Sequence, residues 1–342
     1  MLQIDMGRVN DPTTLSAVDV VEACEQRGRL VVQFSSPDAY SPAILQSLNE
    51  ACRLAKDRLQ VRFYGHYRAP FDAAVLRHLP EVCDLAVDCL SEIDHEEEIG
   101  RLPKLKYLNF GVSKLNRPDF LSTIDMSRLE RLVLIENHKR NIDLSPLAQC
   151  GSMTELFIHG HSKGIDAIAG LPRLRKLTLS SYAKKHSLGF ITAIANLKEL
   201  KLILGGRDNI DELKSASIEM LQVLRVRGLS SVGDLSRLPS LSALCIEDQL
   251  QLSTLNLCGA KLERLWLSNC RNLAELPGLD EQDRLREFCA LRVALDLNAL
   301  RDRDWPLATR SVHLFSASMK WNDDAKLRLA ARGLGKEASL WP

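Results

Sequence analysis

One phrase, L-P-x-L-x-x-L-x-L, recurs along this chain and constrains its fold more than any other feature. It reads LPKLKYLNF from Leu102, LPRLRKLTL from Leu171 and LPSLSALCI from Leu238. Looser copies begin at Leu79 (LPEVCDLAV), Met126 (MSRLERLVL), Cys150 (CGSMTELFI), Ala195 (ANLKELKL), Ile218 (IEMLQVLRV) and Ala260 (AKLERLWL). Their central residues align as Leu85, Leu108, Leu132, Leu156, Leu177, Leu200, Leu224, Leu244 and Leu265, in steps of 23, 24, 24, 21, 23, 24, 20 and 21 residues. A fixed period in this range is the mark of a repeat array, where each unit buries its apolar residues only against its neighbours. With 342 residues the chain is longer than one hydrophobic core usually grows, and the repeats decide for one array over two globular domains.

Within each copy the L-x-L residues alternate with variable ones, which is the period of a strand with one buried face. The rest of each unit supplies a second apolar stripe, such as Ile142, Leu144 and Leu147, or Ile165 and Ile168. DLSPL and DLSRL each place a serine before a short apolar turn, which predicts an N-capped helical turn there. Weaker copies extend the array through Phe288 and Val312 downstream, and through the strand-like runs around Val61 and Val32 upstream. Between those two runs, Ile44, Leu45, Leu48, Cys52, Leu54 and Leu59 follow helical spacing from Ser41.

The pattern resembles the leucine-rich-repeat family, in a bacterial-type form, whose motif is L-x-x-L-x-L-x-x-N/C-x-L. The resemblance is clear over residues 79–270. It implies an α/β repeat fold, a curved leucine-rich-repeat solenoid with parallel strands on the concave face and short helices or turns on the convex face. Three segments are expected: a helical N-terminal cap at 1–29, the array at 30–315 with longer βα units first, and a helical C-terminal cap at 316–342. In the last, Asn322 reads as the N-cap, Asp323 and Asp324 suit the helix start, and Gly333 suits its end. One departure concerns the family's N/C position, whose side chain ties successive turns together. Asn137 and Cys270 conform, whereas His161, Tyr182, Gly205, Leu229 and Gln249 do not, so a broken ladder is expected.

Bulk properties narrow the function. Forty-five basic and 44 acidic residues leave a formal charge of +1, which argues against a nucleic-acid or anionic-membrane partner held by bulk charge. Nine cysteines, an odd count without a CxxC, read as reduced, buried thiols of a cytoplasmic protein. The opening MLQIDMGRVNDP has no apolar core of a signal peptide, and no apolar run reaches the roughly 20 residues of a membrane span.

The strand-face positions flanking the leucines are the place for a partner. They include Tyr107, Arg131, Phe157, His159, Lys176, Lys201, Arg225, Arg227 and Trp266. Three are large aromatics of the kind enriched at binding hot spots, and Lys176, Lys201, Arg225 and Arg227 read as a basic run across the face. The resemblance thus implies a protein-binding scaffold without catalysis, with an immunity or inhibitor role as its specific form. Alternatives are a secreted effector or enzyme with a site in residues 1–75, around Tyr64, His66 and Tyr67, and nucleic-acid binding through the basic run. No cofactor or metal is expected. GGRDN at Gly205 lacks a P-loop lysine, GxSxG and HExxH are absent, and His159-Gly160-His161 has no third ligand nearby. His95 with Glu96, Glu97 and Glu98 reads as a solvated charge run.

Overall fold

The computed structural model describes residues 2–336. Met1 and residues 337–342, the end of the expected C-terminal cap, lie outside the described residues. The chain divides into two compact units, Met1–Leu174 and Arg175–Pro342.

Unit 1 holds a parallel sheet whose strands follow chain order: β1 (Arg8–Asn10), β2 (Leu30–Phe34), β3 (Leu59–Gly65), β5 (Asp84–Leu90), β7 (Tyr107–Val112), β8 (Arg131–Leu134) and β9 (Glu155–His159). A separate parallel ribbon pairs β4 (Phe71–Asp72) with β6 (Ile93–Asp94). Two full helices link the first strands, α1 (Ala17–Arg27) and α2 (Pro42–Ala55), and a short α3 (Glu97–Gly100) follows. Ser16 and Ser41 cap α1 and α2, each accepting a bond from the third backbone N–H beyond it. Strand β1 falls inside the span read as a helical cap, and it pairs with β2. The first 65 residues therefore stack as βα units in the same sheet.

Unit 2 repeats the plan with β10 (Lys176–Ser180), β11 (Glu199–Ile203), β12 (Met220–Leu224), β13 (Ala243–Glu247), β14 (Arg264–Ser268), β15 (Glu287–Leu291) and β16 (Ser311–Phe315). It closes with α4 (Leu297–Asp302) and α5 (Met319–Ala331). Elsewhere in unit 2 the returns behind the strands are short 3-10 turns, as at Gly189–Ala193, Leu235–Arg237 and Leu279–Glu281, or irregular chain. Both units have the leucine-rich-repeat architecture.

The core is a set of columns running through the stack. One column contains Val9, Val32, Val61, Leu85, Leu108, Leu132 and Leu156 in unit 1, and Leu177, Leu200, Leu221, Leu244, Leu265, Phe288 and Val312 in unit 2. All are buried, and each contributes roughly 1.5–3 kcal/mol relative to exposure. The expected register holds at every copy but one. In β12 the column residue is Leu221, not Leu224. IEMLQVLRV offers two leucines three apart, and only pairing with Leu200 and Leu244 selects between them.

The ladder position is chemically mixed: Asn137, His161, Gln249 and Cys270 reach backbone groups, while Gly205 and Val226 carry no side-chain donor, so the ladder is interrupted there as expected. Asn137 Nδ2 donates to Leu115 O (2.5 Å), and its Oδ1 accepts from Lys139 N (2.9 Å). His161 Nε2 donates to Ile135 O (3.0 Å) while Nδ1 accepts from Ile142 N (3.1 Å). Gln249 Nε2 donates to Glu247 O (2.8 Å) and Val223 O (3.5 Å), and Cys270 Sγ reaches Ser268 O (3.4 Å) and Ile246 O (3.7 Å). Any buried side chain with a donor at this height can satisfy the backbone of the preceding turn. In unit 2 the register shift puts Val226, not Leu229, at this position, and it fills the gap by packing.

Three local expectations are corrected. At DLSPL the N-cap is Leu144, without a side-chain cap bond, and Asp143 just before it accepts on Oδ1 from Ser145 N (3.0 Å); the turn at DLSRL is capped by Asp234, accepting from Ser236 N (2.8 Å). The carboxylate two residues earlier is the better acceptor, and the bonds from Ser145 and Lys163 hold the Asp143 carboxyl down at about 2. Helix α5 is capped by Ser318. Asn322 sits inside it, buried, accepting from Ser316 N (2.8 Å). Gly333 adopts φ +77° just beyond the helix, as its end requires. Glu98 is not solvated: it is 3% exposed and bonded to Arg77 (2.7 Å) and Arg101. Seven cysteines are buried, while Cys89 and Cys258 are exposed.

Candidate functional site: the strand faces of the two units

The side chains alternating with the core columns emerge on the strand face. In unit 1 they are engaged with one another. Asp84, at the start of β5, is 1% exposed, and its Oδ2 accepts from Arg29 Nη2 (2.7 Å) and Arg131 Nη2 (3.1 Å). Its Oδ1 accepts from Gln60 Nε2 (2.8 Å). The Arg131 guanidinium lies 4.7 Å from the centre of the Tyr107 ring, a cation–π contact. Tyr107 donates its hydroxyl to Glu130 Oε2 (3.2 Å), and burial, with the Glu130 charge beside it, raises the phenol pKa.

A second chain of bonds crosses the neighbouring row. Gln33 Nε2 donates to Asn10 Oδ1 (2.6 Å), and Arg62 donates to Gln33 Oε1 (3.1 Å) and Asp88 Oδ1 (2.7 Å). Asn109 Nδ2 completes it on Asp88 Oδ2 (3.1 Å). The Arg62 guanidinium also lies 4.7 Å over the Tyr64 ring. Charges so arranged orient one another.

The structure thus brings Tyr107 and Arg131 together as expected positions, but as members of a closed network. Phe157 is half-buried on β9 opposite Val133, and His159 Nε2 lies 3.2 Å from Glu136 Oε2. His161, its neighbour in the HGH triplet, has both ring nitrogens on backbone groups, so neither is open to a metal. His66, named with the possible N-terminal site, is likewise buried. Its Nδ1 donates to Tyr64 O (2.9 Å), and its Nε2 accepts from Tyr40 Oη (3.2 Å). Tyr67, by contrast, is fully in solvent at 91% exposure.

The strand face of unit 2 has different chemistry. Register pairing sets Met220 beside Ala243, Gln222 beside Cys245, Cys245 beside Trp266, and Trp266 beside Cys289. Met220, Ala243, Cys245 and Cys289 are buried beneath their neighbours, whereas Trp266, Leu224, Ile203 and Leu291 are half-buried. Burial pushes the Cys245 and Cys289 thiols up to about 12, so both stay protonated and apolar. Lys176 and Lys201 stand at one side of this strip, with Lys176 paired to Glu199 (2.9 Å).

The expected basic run is not there. Because β12 is registered on Leu221, Arg225 and Arg227 fall beyond its end, in the turn. Arg225 adopts φ +55° and pairs with Asp248 (2.8 Å); Arg227 is exposed two residues on. The residues missed in the sequence are Asp84, Arg62 and Asp88 in unit 1, and Met220, Gln222, Leu224 and Cys289 in unit 2. For the unit 2 group the signal was present in MLQVL and EFCAL, once β12 is correctly registered. For the unit 1 group no local signal distinguishes a buried aspartate from a solvated one.

With this geometry in view, known proteins offer likeness of fold only. No protein-family profile matches the chain, and no curated protein does. Among solved structures, the Toll–Spatzle complex of Drosophila is 16% identical, with a TM-score of 0.47, over 90% of this chain and 49% of that one. The plant peptide hormone receptor RGFR1 with RGF2 is 14% identical at a TM-score of 0.36, over 79% and 49%. The mouse RP105/MD-1 complex gives 14% and 0.40, over 89% and 62%. The chain spans about half the length of the first two of these and under two thirds of the third. Among the described residues, no helix is long and apolar enough to cross a membrane.

Proposed function

We propose that the protein is a scaffold that binds another protein through the strand face of unit 2. The observation that carries this reading is the apolar strip around Trp266, built on Cys245 and Cys289 and continued by Leu224, Ile203 and Leu291. A strand face left to solvent ordinarily alternates polar side chains outward, as unit 1 does. An apolar strip with a large aromatic at its centre and lysines at its side has the anatomy of an interface, with a dry middle and a charged rim. Lys201 at that rim, and Lys176 where a partner displaces Glu199, favour an acidic surface opposite. The specific form of this reading is an immunity or inhibitor role, in which capture blocks the partner's own activity.

The test is capture from native lysate with immobilised protein, comparing wild type with Trp266→Ala and with Phe157→Ala as the unit 1 counterpart. Trp266→Ala is expected to weaken the captured complex by about 2 kcal/mol or more, the cost of truncating a central aromatic anchor. Phe157→Ala is expected to leave it within about 0.5 kcal/mol of wild type. Retention of the same partner by folded Trp266→Ala sinks the proposal.

A further inference from the structure

The residues immediately after the strands of unit 2 form a column of left-handed turns. Ser181, Leu204, Arg225, Asp248, Asn269 and Arg292 occupy it, with φ between +52° and +58°. Across the first three of these turns lies a cleft of about 580 Å³, lined in part by Ser181, Lys184, Leu204, Gly206, Arg225 and Arg227. No acidic side chain lines it. The two aspartates that pair with its cations, Asp208 with Lys184 and Asp248 with Arg225, stand outside the lining.

We propose that this turn cleft binds a phosphate group, as a dianionic phosphate ester or free phosphate. Its donor capacity is largely unspent. Arg225 gives only its Nε to Asp248, so its two terminal amino groups make no bond among the described residues. Lys184 gives one of its three N–H groups to Asp208. Arg227, exposed and with no side-chain partner among the described residues, lines the same cleft. Two guanidinium forks and an ammonium match the several oxygens and double charge of a phosphate better than a single carboxylate.

The floor is shaped for close approach. A side chain at Gly206 would meet nothing nearer than Arg227 O at 3.6 Å, so its absence leaves open space for the ligand. Gly205 is held at φ +76°, and a Cβ there would come within 2.8 Å of Tyr182 O, so the turn keeps its backbone low. Leu204 beside it is a bulky residue in the left-handed region, 40% exposed, and such conformations cost of order 1–3 kcal/mol unless the surroundings impose them. The cleft is separate from the strand-face reading, since Trp266 takes no part in its lining.

The experiment is calorimetric titration of the full chain with inorganic phosphate, pyrophosphate and a phosphoserine peptide. The same peptide is also titrated unphosphorylated and with glutamate at that serine. Binding by the phosphate-bearing probes is expected, weakened at least about tenfold by Arg227→Glu and by Lys184→Gln. Lys326→Glu, an exposed charge reversal on α5, is the control and leaves binding unchanged. Arg227 is exposed, so its variant is expected to keep the fold, which circular dichroism checks. A phosphopeptide at least about tenfold tighter than the inorganic ions assigns the site to a phosphorylated side chain, and equal affinities assign it to free phosphate compounds. Three outcomes overturn the proposal: no binding of any phosphate probe at about 10 mM, equal binding of the glutamate peptide and the phosphopeptide, or no greater loss in Arg227→Glu than in Lys326→Glu.

Discussion

The strand faces of the two units are made by the same repeat and do opposite things. In unit 1, Asp84 accepts from Arg29, Gln60 and Arg131, and a second group joins Arg62 to Gln33 and Asp88 and Asn109 to Asp88, so much of the face is engaged with its own side chains. In unit 2 the same heights carry Met220, Ala243, Cys245, Trp266 and Cys289, which have little polar bonding to offer one another. A leucine-rich repeat specifies where a side chain emerges but not what it does there. Polar residues that find partners in the next strand become part of the fold, while apolar ones at the same positions give the face a different chemistry.

Four measurements break or sharpen this contrast. The largest effect concerns whether Leu221 or Leu224 belongs to the core of β12, because the unit 2 face depends on that register. Leu221→Ala is expected to cost about 2–5 kcal/mol in urea unfolding, and Leu224→Ala under about 1 kcal/mol. Reversed magnitudes would return Arg225 and Arg227 to the strand face. Next, Asp84→Ala leaves Arg29, Gln60 and Arg131 without their shared acceptor and is expected to cost about 2–3 kcal/mol, less than a fully buried pair because both arginines reach solvent. Lys176→Ala, at the corresponding row of unit 2, removes an exposed pair and is expected to cost under about 0.5 kcal/mol. Equal costs at the two sites would mean the faces do not differ in kind.

The third measurement uses pH. Burial lowers the pKa of His161 below its ordinary 6.5, and protonating Nδ1 would set a donor against Ile142 N–H. The unfolded chain binds that proton more readily, so this contribution to stability is whole above about pH 7 and falls as pH drops below about 6.5. His66, lowered by burial too, acts in the same direction; the exposed His95, raised by its bond to Asp72, opposes it weakly. In unit 2 the equivalent ladder residues do not titrate there: Gln249 carries no charge, and burial pushes Cys270 up to about 11. Amide hydrogen exchange at pH 7 and pH 5 is expected to show unit 1 loosening more than unit 2. His161→Asn is expected to reduce that difference, and an unchanged difference would remove His161 as its cause. The smallest effect is expected at Leu204, where glycine relieves the left-handed strain and raises stability by up to about 1 kcal/mol, read as a shift in urea midpoint.

Much of this was legible in the residues. Leu85, Leu108, Leu132, Leu156, Leu177, Leu200, Leu244, Leu265, Phe288 and Val312 take the register their spacing predicts, and helix α2 begins at its serine cap. Strand β1 was not legible, because three residues are too few to show alternation. The basic run failed for a single reason, the two leucines of MLQVL, and with it went half of the expected charged face. Tyr107, Arg131, Phe157 and Trp266 emerge from the strands at the positions read; what each of them touches is a matter of its neighbours.

By itself the sequence determined the repeat and nearly all of the core column, because those follow from apolar spacing within some twenty residues; the parallel direction of the strands came from the family resemblance. Only the tertiary structure decided what the polar positions do. Asp84 is buried because Arg29, Gln60 and Arg131, from three other strands or their approaches, close over it. His161 serves the ladder because two backbone groups 19 and 26 residues earlier lie at its height. Such pairings depend on which turns become neighbours in the stack, and no local pattern carries that information.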